Sequence, residues 1–138
     1  MSVTSSTYIS FPGNAAEAFV YYQDLLGGEL ELLTYGSADL DGLPFTPPPE
    51  AVAHAKLTAD AIAISGGDAM SSDRPPLRSD VYSFLLEIDS ADEGRAFIER
   101  VTSTGGEVAM PFEVAPWGDL YGQVVDKFGV KWAVVAPA

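Results

Sequence analysis

The feature that most constrains this chain is a repeated pattern. Phe19 and Phe97 stand 78 residues apart, and so do Gly27-Gly28-Glu29 and Gly105-Gly106-Glu107. Each Gly-Gly-Glu closes a segment whose apolar residues recur at helical spacing. The first runs through Ala15, Ala18, Phe19, Tyr22, Leu25 and Leu26, and the second through Phe97, Ile98 and Val101. Asn14 stands at the N-cap position of the first, and Ser90-Ala91-Asp92-Glu93 reads as a capping box for the second. Glycine pairs are the usual stop signal at a helix C-terminus.

Each helix sits among short β-like runs. Tyr8 to Phe11 precedes the first, and Glu29 to Tyr35, Val52 to Leu57 and Ala61 to Ser65 follow it. Leu30, Leu32 or Leu33, and Tyr35 are the candidates for the buried face of the second run. Thr58-Ala59-Asp60 and Gly66-Gly67-Asp68 read as turns. In the second half Val81 to Ile88 precedes the helix, and Glu107 to Phe112, Tyr121 to Asp126 and Lys131 to Val135 follow it. The repeated order predicts two βαβββ modules, about 5–68 and 79–137, in one domain of fold class α+β. A module of about 65 residues buries too little apolar surface alone. The two are therefore expected to share a core, their sheets forming a curved, partly closed wall around a cup, with helices outside. Residues 36–51, with Gly36, Gly42, Pro44 and Pro47-Pro48-Pro49, cannot be a regular element. They read as a loop excursion, with a pocket lid or a dimer arm as the functional alternatives.

Composition narrows the function classes. The 138 residues hold 20 acidic and 7 basic side chains, a formal net charge of −13, which argues against nucleic acid backbones and anionic membranes as partners. There is no cysteine, so disulfides, thiolate metal sites and cysteine nucleophiles are excluded. The single histidine, His54, excludes two-histidine metal motifs. The polar, uncharged start at Met1 to Thr7 is unlike a secretory signal, and no apolar run reaches spanning length, so a cytoplasmic protein is expected.

Beyond the pattern, several stretches carry a resemblance. They are Tyr8-Ile9-Ser10-Phe11, Gly13-Asn14, Ala18-Phe19, Tyr22 with Gly27-Gly28, and His54-Ala55-Lys56-Leu57. In the second half they are Gly105 to Pro111, Trp117-Gly118, Tyr121-Gly122 and Asp126 to Trp132. From Tyr8 to the C-terminus the chain resembles the PhnB-like branch of the vicinal oxygen chelate superfamily, which includes glyoxalases, bleomycin-resistance proteins and dioxygenases. The resemblance implies metal-ligand positions on the first and last strand of each module. They fall at Ser6 or Thr7, Ser65, Ser83 and Ala133. Hydroxyls are weak ligands for Zn or Fe(II) and alanine offers none, so no metal and no other cofactor is expected. Methyl transfer, a label attached to that branch, would require a Gly-rich strand-to-helix turn. The glycine pairs at 27–28, 66–67 and 105–106 end helices or lie in turns.

The candidate ligand-pocket residues are His54, Ser83, Glu87, Met110, Phe112, Trp117 and Tyr121. His54 would serve as a base if it faced the cup, although a structural histidine is the ordinary alternative. Alternation from Ser83 places Leu85 and Glu87 on its face. Trp117 and Tyr121 flank Gly118, where aromatics can cover a ligand or simply pack. Met110 and Phe112, with Trp132, read as core or wall. The pairs Asp39/Asp41 and Asp92/Glu93 read as solvated surface, the second complementing a helix dipole. The first expectation is a metal-free homodimer binding a small organic molecule. Antibiotic-sequestering relatives bind cationic drugs, which a net charge of −13 would suit. The alternatives are a metal-dependent lyase, isomerase or dioxygenase, and a module acting through its dimer surface.

Overall fold

The computed structural model describes residues 1–37, 47–70 and 76–138. Most of the proline-rich stretch, including Asp39 and Asp41, therefore lies outside the described residues. Its ends are joined: the Tyr35 and Gly36 N–H groups donate to the Ala51 and Pro49 carbonyls at 2.9 and 2.8 Å.

The chain divides into two compact units, Met1–Pro75 and Pro76–Ala138. The first contains β1 (Thr7–Phe11), α1 (Ala15–Leu26), β2 (Glu29–Thr34), β3 (Val52–Ala59) and β4 (Ile62–Asp68). The second contains β5 (Phe84–Glu87), α2 (Ala91–Ser103), β6 (Glu107–Val114), β7 (Leu120–Val125) and β8 (Lys131–Ala136). Each is a βαβββ module with an open four-stranded mixed sheet. The orders are β1-β4-β3-β2 and β5-β8-β7-β6, with the outer pairs β1/β4 and β5/β8 parallel and the rest antiparallel.

In the first unit Ala15, Ala18, Phe19, Tyr22 and Leu25 form the buried stripe of α1. They belong to a core with Phe11, Ala55, Leu57 and Ile64, and Phe19 meets Phe11 and Tyr22 edge-on at 5.7 and 6.3 Å. In the second, Phe97 and Val101 of α2 join Leu86, Val124, Trp132 and Val134. Trp132 is 0% exposed, stacked on Phe84 at 4.5 Å and met edge-on by Phe97 at 5.9 Å. Each large side chain buried this way contributes roughly 1.5–3 kcal/mol.

The repeated Gly-Gly-Glu has the same two physical causes in both units. Gly27 (φ +77°) and Gly105 (φ +100°) take the left-handed conformation that turns the chain out of its helix. The second glycine lies against the carbonyl of a neighbouring strand. A Cβ at Gly28 would come 2.2 Å from the Thr58 oxygen, and one at Gly106 2.6 Å from that of Val125.

Several local expectations are corrected. Gly66-Gly67 is not a turn but part of β4, because a Cβ at Gly66 would fall 2.4 Å from the Ile9 oxygen and 3.2 Å from the Phe19 ring. Thr58 and Ala59 stay in β3, and the turn comes at Asp60-Ala61, with Asp60 at φ +50°. Leu32 and Leu33 are exposed rather than buried. The strand expected over Val81 to Ile88 is only Phe84–Glu87, since the Ser79 hydroxyl draws the Val81 and Tyr82 N–H groups into a turn. Asn14 stands at the α1 N-cap without a side-chain capping bond. Its place is taken by Asp68 at the end of β4, whose two carboxylate oxygens accept the Ala15 and Val52 N–H groups at 2.9 and 2.8 Å. Ser90 does cap α2, accepting the Glu93 N–H at 3.3 Å. Among the described residues no helix is long and apolar enough to cross a membrane.

Candidate functional site

One face of each sheet is covered by its own helix, and alternation assigns the remaining side chains to the opposite face. In β1 this face receives Tyr8 and Ser10, and Ser6 extends the series. Phe11 points the other way and is buried. The Ser6 hydroxyl shares a hydrogen bond with the Ser65 hydroxyl at 2.8 Å, which places Ser6, and not Thr7, on the face of Ser65. The pairings Tyr8↔Ser65, Lys56↔Ser65 and Glu31↔Lys56 then define one cross-sheet row: Tyr8, Ser65, Lys56, Glu31. His54 is exposed on the same face of β3, two residues from Lys56.

In the second unit Ser83, Leu85 and Glu87 are all exposed and Leu86 is buried, the pattern that alternation predicted. The pairings Leu85↔Ala133, Gln123↔Ala133 and Met110↔Gln123 give the row Leu85, Ala133, Gln123, Met110. The next row is Glu87, Val135, Tyr121, Glu113. Leu85 and Met110 are exposed, so much of this face is apolar and open. Trp117, 63% exposed, meets Tyr121 edge-on at 5.6 Å. The turn carrying Trp117 is closed by the Ala115 N–H to the Asp119 carbonyl at 2.7 Å and the Gly118 N–H to the Ala115 carbonyl at 2.9 Å. Gln123 donates its side-chain N–H to the Tyr121 hydroxyl at 2.9 Å and so orients it.

Phe112 does not join this face. Its ring lies under α2, 3.1 Å from the place a Cβ would take at Gly94, with the Arg95 guanidinium 5.9 Å from the ring centre. The alternation that would have kept it with Met110 is interrupted by register shifts between Val108 and Met110 and between Met110 and Glu113. Register thus puts Glu87, Met110 and Tyr121 on one face of the second sheet, with Trp117 against Tyr121 and Ser83 just before β5, while His54 belongs to the first unit. Tyr8, Lys56, Glu113 and Gln123 are not among the candidate pocket residues of the sequence, because only cross-strand register brings them to these faces.

At one end of the second sheet lies an open cavity of about 220 Å³, lined by Glu87, Asp89, Asp119 and the backbone-rich Val135-Ala136-Pro137. At the other end Arg78 is bound to Glu107, whose hydrogen bond and charge raise the guanidinium pKa. The Asp126-to-Trp132 motif is structural. The buried Asp126 carboxylate accepts the Phe128 and Val130 N–H groups and the Trp132 indole N–H at 2.9, 3.1 and 2.9 Å.

The four positions where the resemblance implies metal ligands do not fit a divalent transition metal. Ser6 and Ser65 are engaged with each other, Ser83 offers one neutral hydroxyl, and Ala133 offers nothing. Among the described residues no group of three or more His, Asp or Glu is placed to hold a metal ion.

Comparison with known proteins agrees with this architecture. Protein YjdN of Escherichia coli K12 is 34% identical over 143 aligned residues, covering 94% of this chain and 92% of YjdN. The crystal structure of protein PA1353 from Pseudomonas aeruginosa superposes with a TM-score of 0.81 at 30% identity, covering 99% of this chain and 98% of that one. The PhnB protein of Bacillus cereus shares the fold with a TM-score of 0.72 at 20% identity, covering 97% and 99%, in keeping with the PhnB-like motifs. Residues 7–134 match a family profile, and the chain belongs to the glyoxalase/bleomycin resistance protein/dioxygenase superfamily.

Proposed function

We propose that this protein is a metal-free homodimer that binds a small organic molecule, with a cationic group, on the open sheet face of its second unit. The observation that carries the reading is the Trp117–Tyr121 pair, whose Tyr121 stands in the row that also holds Glu87 and Glu113. Aromatic faces attract cations by about 0.5–2 kcal/mol, and nearby carboxylates add to that attraction. Leu85 and Met110 supply apolar contact, and Ser83 a hydroxyl. Phe112 would support the face from beneath. Among the described residues no nucleophile–base pair is organised there, which favours binding over catalysis.

Fluorescence tests this directly, because Trp117 is exposed while Trp132 is fully buried. Titration with a cationic glycopeptide such as bleomycin should give a saturable change, weakened in Glu87→Gln, and calorimetry should show weaker binding in Trp117→Ala. No saturable binding at millimolar ligand would sink the reading. Sedimentation equilibrium should return the mass of two chains, and a monomer would contradict the dimer.

A further inference from the structure

We infer that the open face of the first unit is an oxyanion-binding site built from Ser6, Ser65, Lys56 and Tyr8, with His54 at its rim. Register places Tyr8 and Lys56 on either side of Ser65, on one sheet face. Ser65 is 6% exposed, and its hydroxyl is bonded to that of Ser6. Two hydroxyls joined by one hydrogen bond use one proton between them, which leaves the other O–H to donate outward. The Tyr8 hydroxyl lies over Gly67, 3.3 Å from the position a Cβ would take there, so the missing side chain leaves room beneath the phenol.

Lys56 is the only lysine of the first unit and is half-buried. In a chain of net charge −13 it makes no ion pair among the described residues, although Glu31 is its cross-strand neighbour on β2. A half-buried lysine whose row on the sheet also carries the Ser65 and Tyr8 hydroxyls offers donors complementary to a carboxylate or phosphate oxygen. Those two groups share the chemistry of a charged oxygen accepting several short hydrogen bonds. The site belongs to the first unit and shares no side chain with the cation-binding face proposed for the second.

The single histidine makes the test clean, since its imidazole gives one set of proton and nitrogen resonances. At fixed pH and low ionic strength, inorganic phosphate and benzoate are titrated separately while the His54 resonances are followed. Saturable shifts are expected, and whichever anion saturates at lower concentration identifies the preferred group. Lys56→Met should weaken binding about tenfold or more, the loss expected for one charge-assisted hydrogen bond. Lys56→Arg should restore most of it, which separates charge from packing. Ser65→Ala should weaken it severalfold, and Glu87→Gln should leave it unchanged. The inference is overturned if neither anion gives saturation at tens of millimolar, if chloride at equal ionic strength gives the same response, or if Lys56→Met binds like the parent. Failure of bleomycin to perturb Trp117 would count against the proposed function alone.

Discussion

The two units share a topology and differ in the face their helices leave open. By register, Ser6 corresponds to Ser83, Tyr8 to Leu85, Ser65 to Ala133, Lys56 to Gln123 and Glu31 to Met110. The polar row Tyr8-Ser65-Lys56-Glu31 thus becomes the largely apolar row Leu85-Ala133-Gln123-Met110. The helix-facing layers keep the same character, with Phe19 matched by Phe97 and an aromatic cluster beneath each helix. Packing against the helix sets the scaffold, so that layer must stay apolar and well filled. The opposite face carries no such requirement, and each copy can take its own chemistry.

The units are also fastened differently, and this gives the largest expected effect. Asp126 satisfies three donors around the β7–β8 turn, including the indole of the core residue Trp132. Asp68 satisfies two, at the starts of α1 and β3. Unsatisfied buried donors cost about 1–3 kcal/mol each, so Asp126→Ala should lose about 4 kcal/mol of stability and Asp68→Ala about 2 kcal/mol. Urea unfolding followed by circular dichroism measures both, and the reverse order would break the contrast between the fastenings. Next comes Gly66→Ala, whose Cβ must push β1 away from β4 or displace Phe19. It should cost about 1–3 kcal/mol by overpacking, whereas Gly118→Ala, with open space around its Cβ, should show only the smaller cost of its positive φ.

Making one face resemble the other is a gentler perturbation. Lys56→Gln with Ser65→Ala gives the first unit the residues that stand at those positions in the second. Stability should shift by less than about 1 kcal/mol, while the His54 response to phosphate or benzoate disappears. Retention of that response would mean that the row does not carry the chemistry. The smallest effect is expected at Asp80, whose pKa is lowered by the hydrogen bond and charge of Lys131 at 2.9 Å. A carboxylate with a folded pKa below its unfolded one stabilises the fold above the unfolded value of about 3.9, and loses that contribution as pH falls through the folded value. Asp80→Asn should therefore be slightly less stable than the parent at neutral pH and indistinguishable from it in strong acid.

Much of this architecture is legible in the sequence because its signals are local. Apolar spacing and the glycine pairs place α1 at Ala15–Leu26, and the capping box marks the start of α2. What escaped depends on partners distant in the chain. The α1 N-terminus is satisfied by Asp68, 53 residues from Ala15, so no reading of Asn14 alone could find it. Gly66-Gly67 carries the composition of a turn, yet parallel pairing with β1 requires its missing Cβ atoms. Phe112 changes face because of strand irregularities that alternation does not anticipate. The row through Lys56 emerges only once β3 is set between β2 and β4.

We propose that Ser6, Ser65, Ser83 and Ala133, with neutral hydroxyls and a methyl group, hold no divalent transition metal. Elemental analysis of protein purified without chelators, after equilibration with Zn, Ni, Mn or Fe(II) and desalting, tests it most directly. Far less than one equivalent of any of these metals per chain is expected. A bound metal near one equivalent, lost when Ser6 and Ser65 are replaced by alanine, would contradict it.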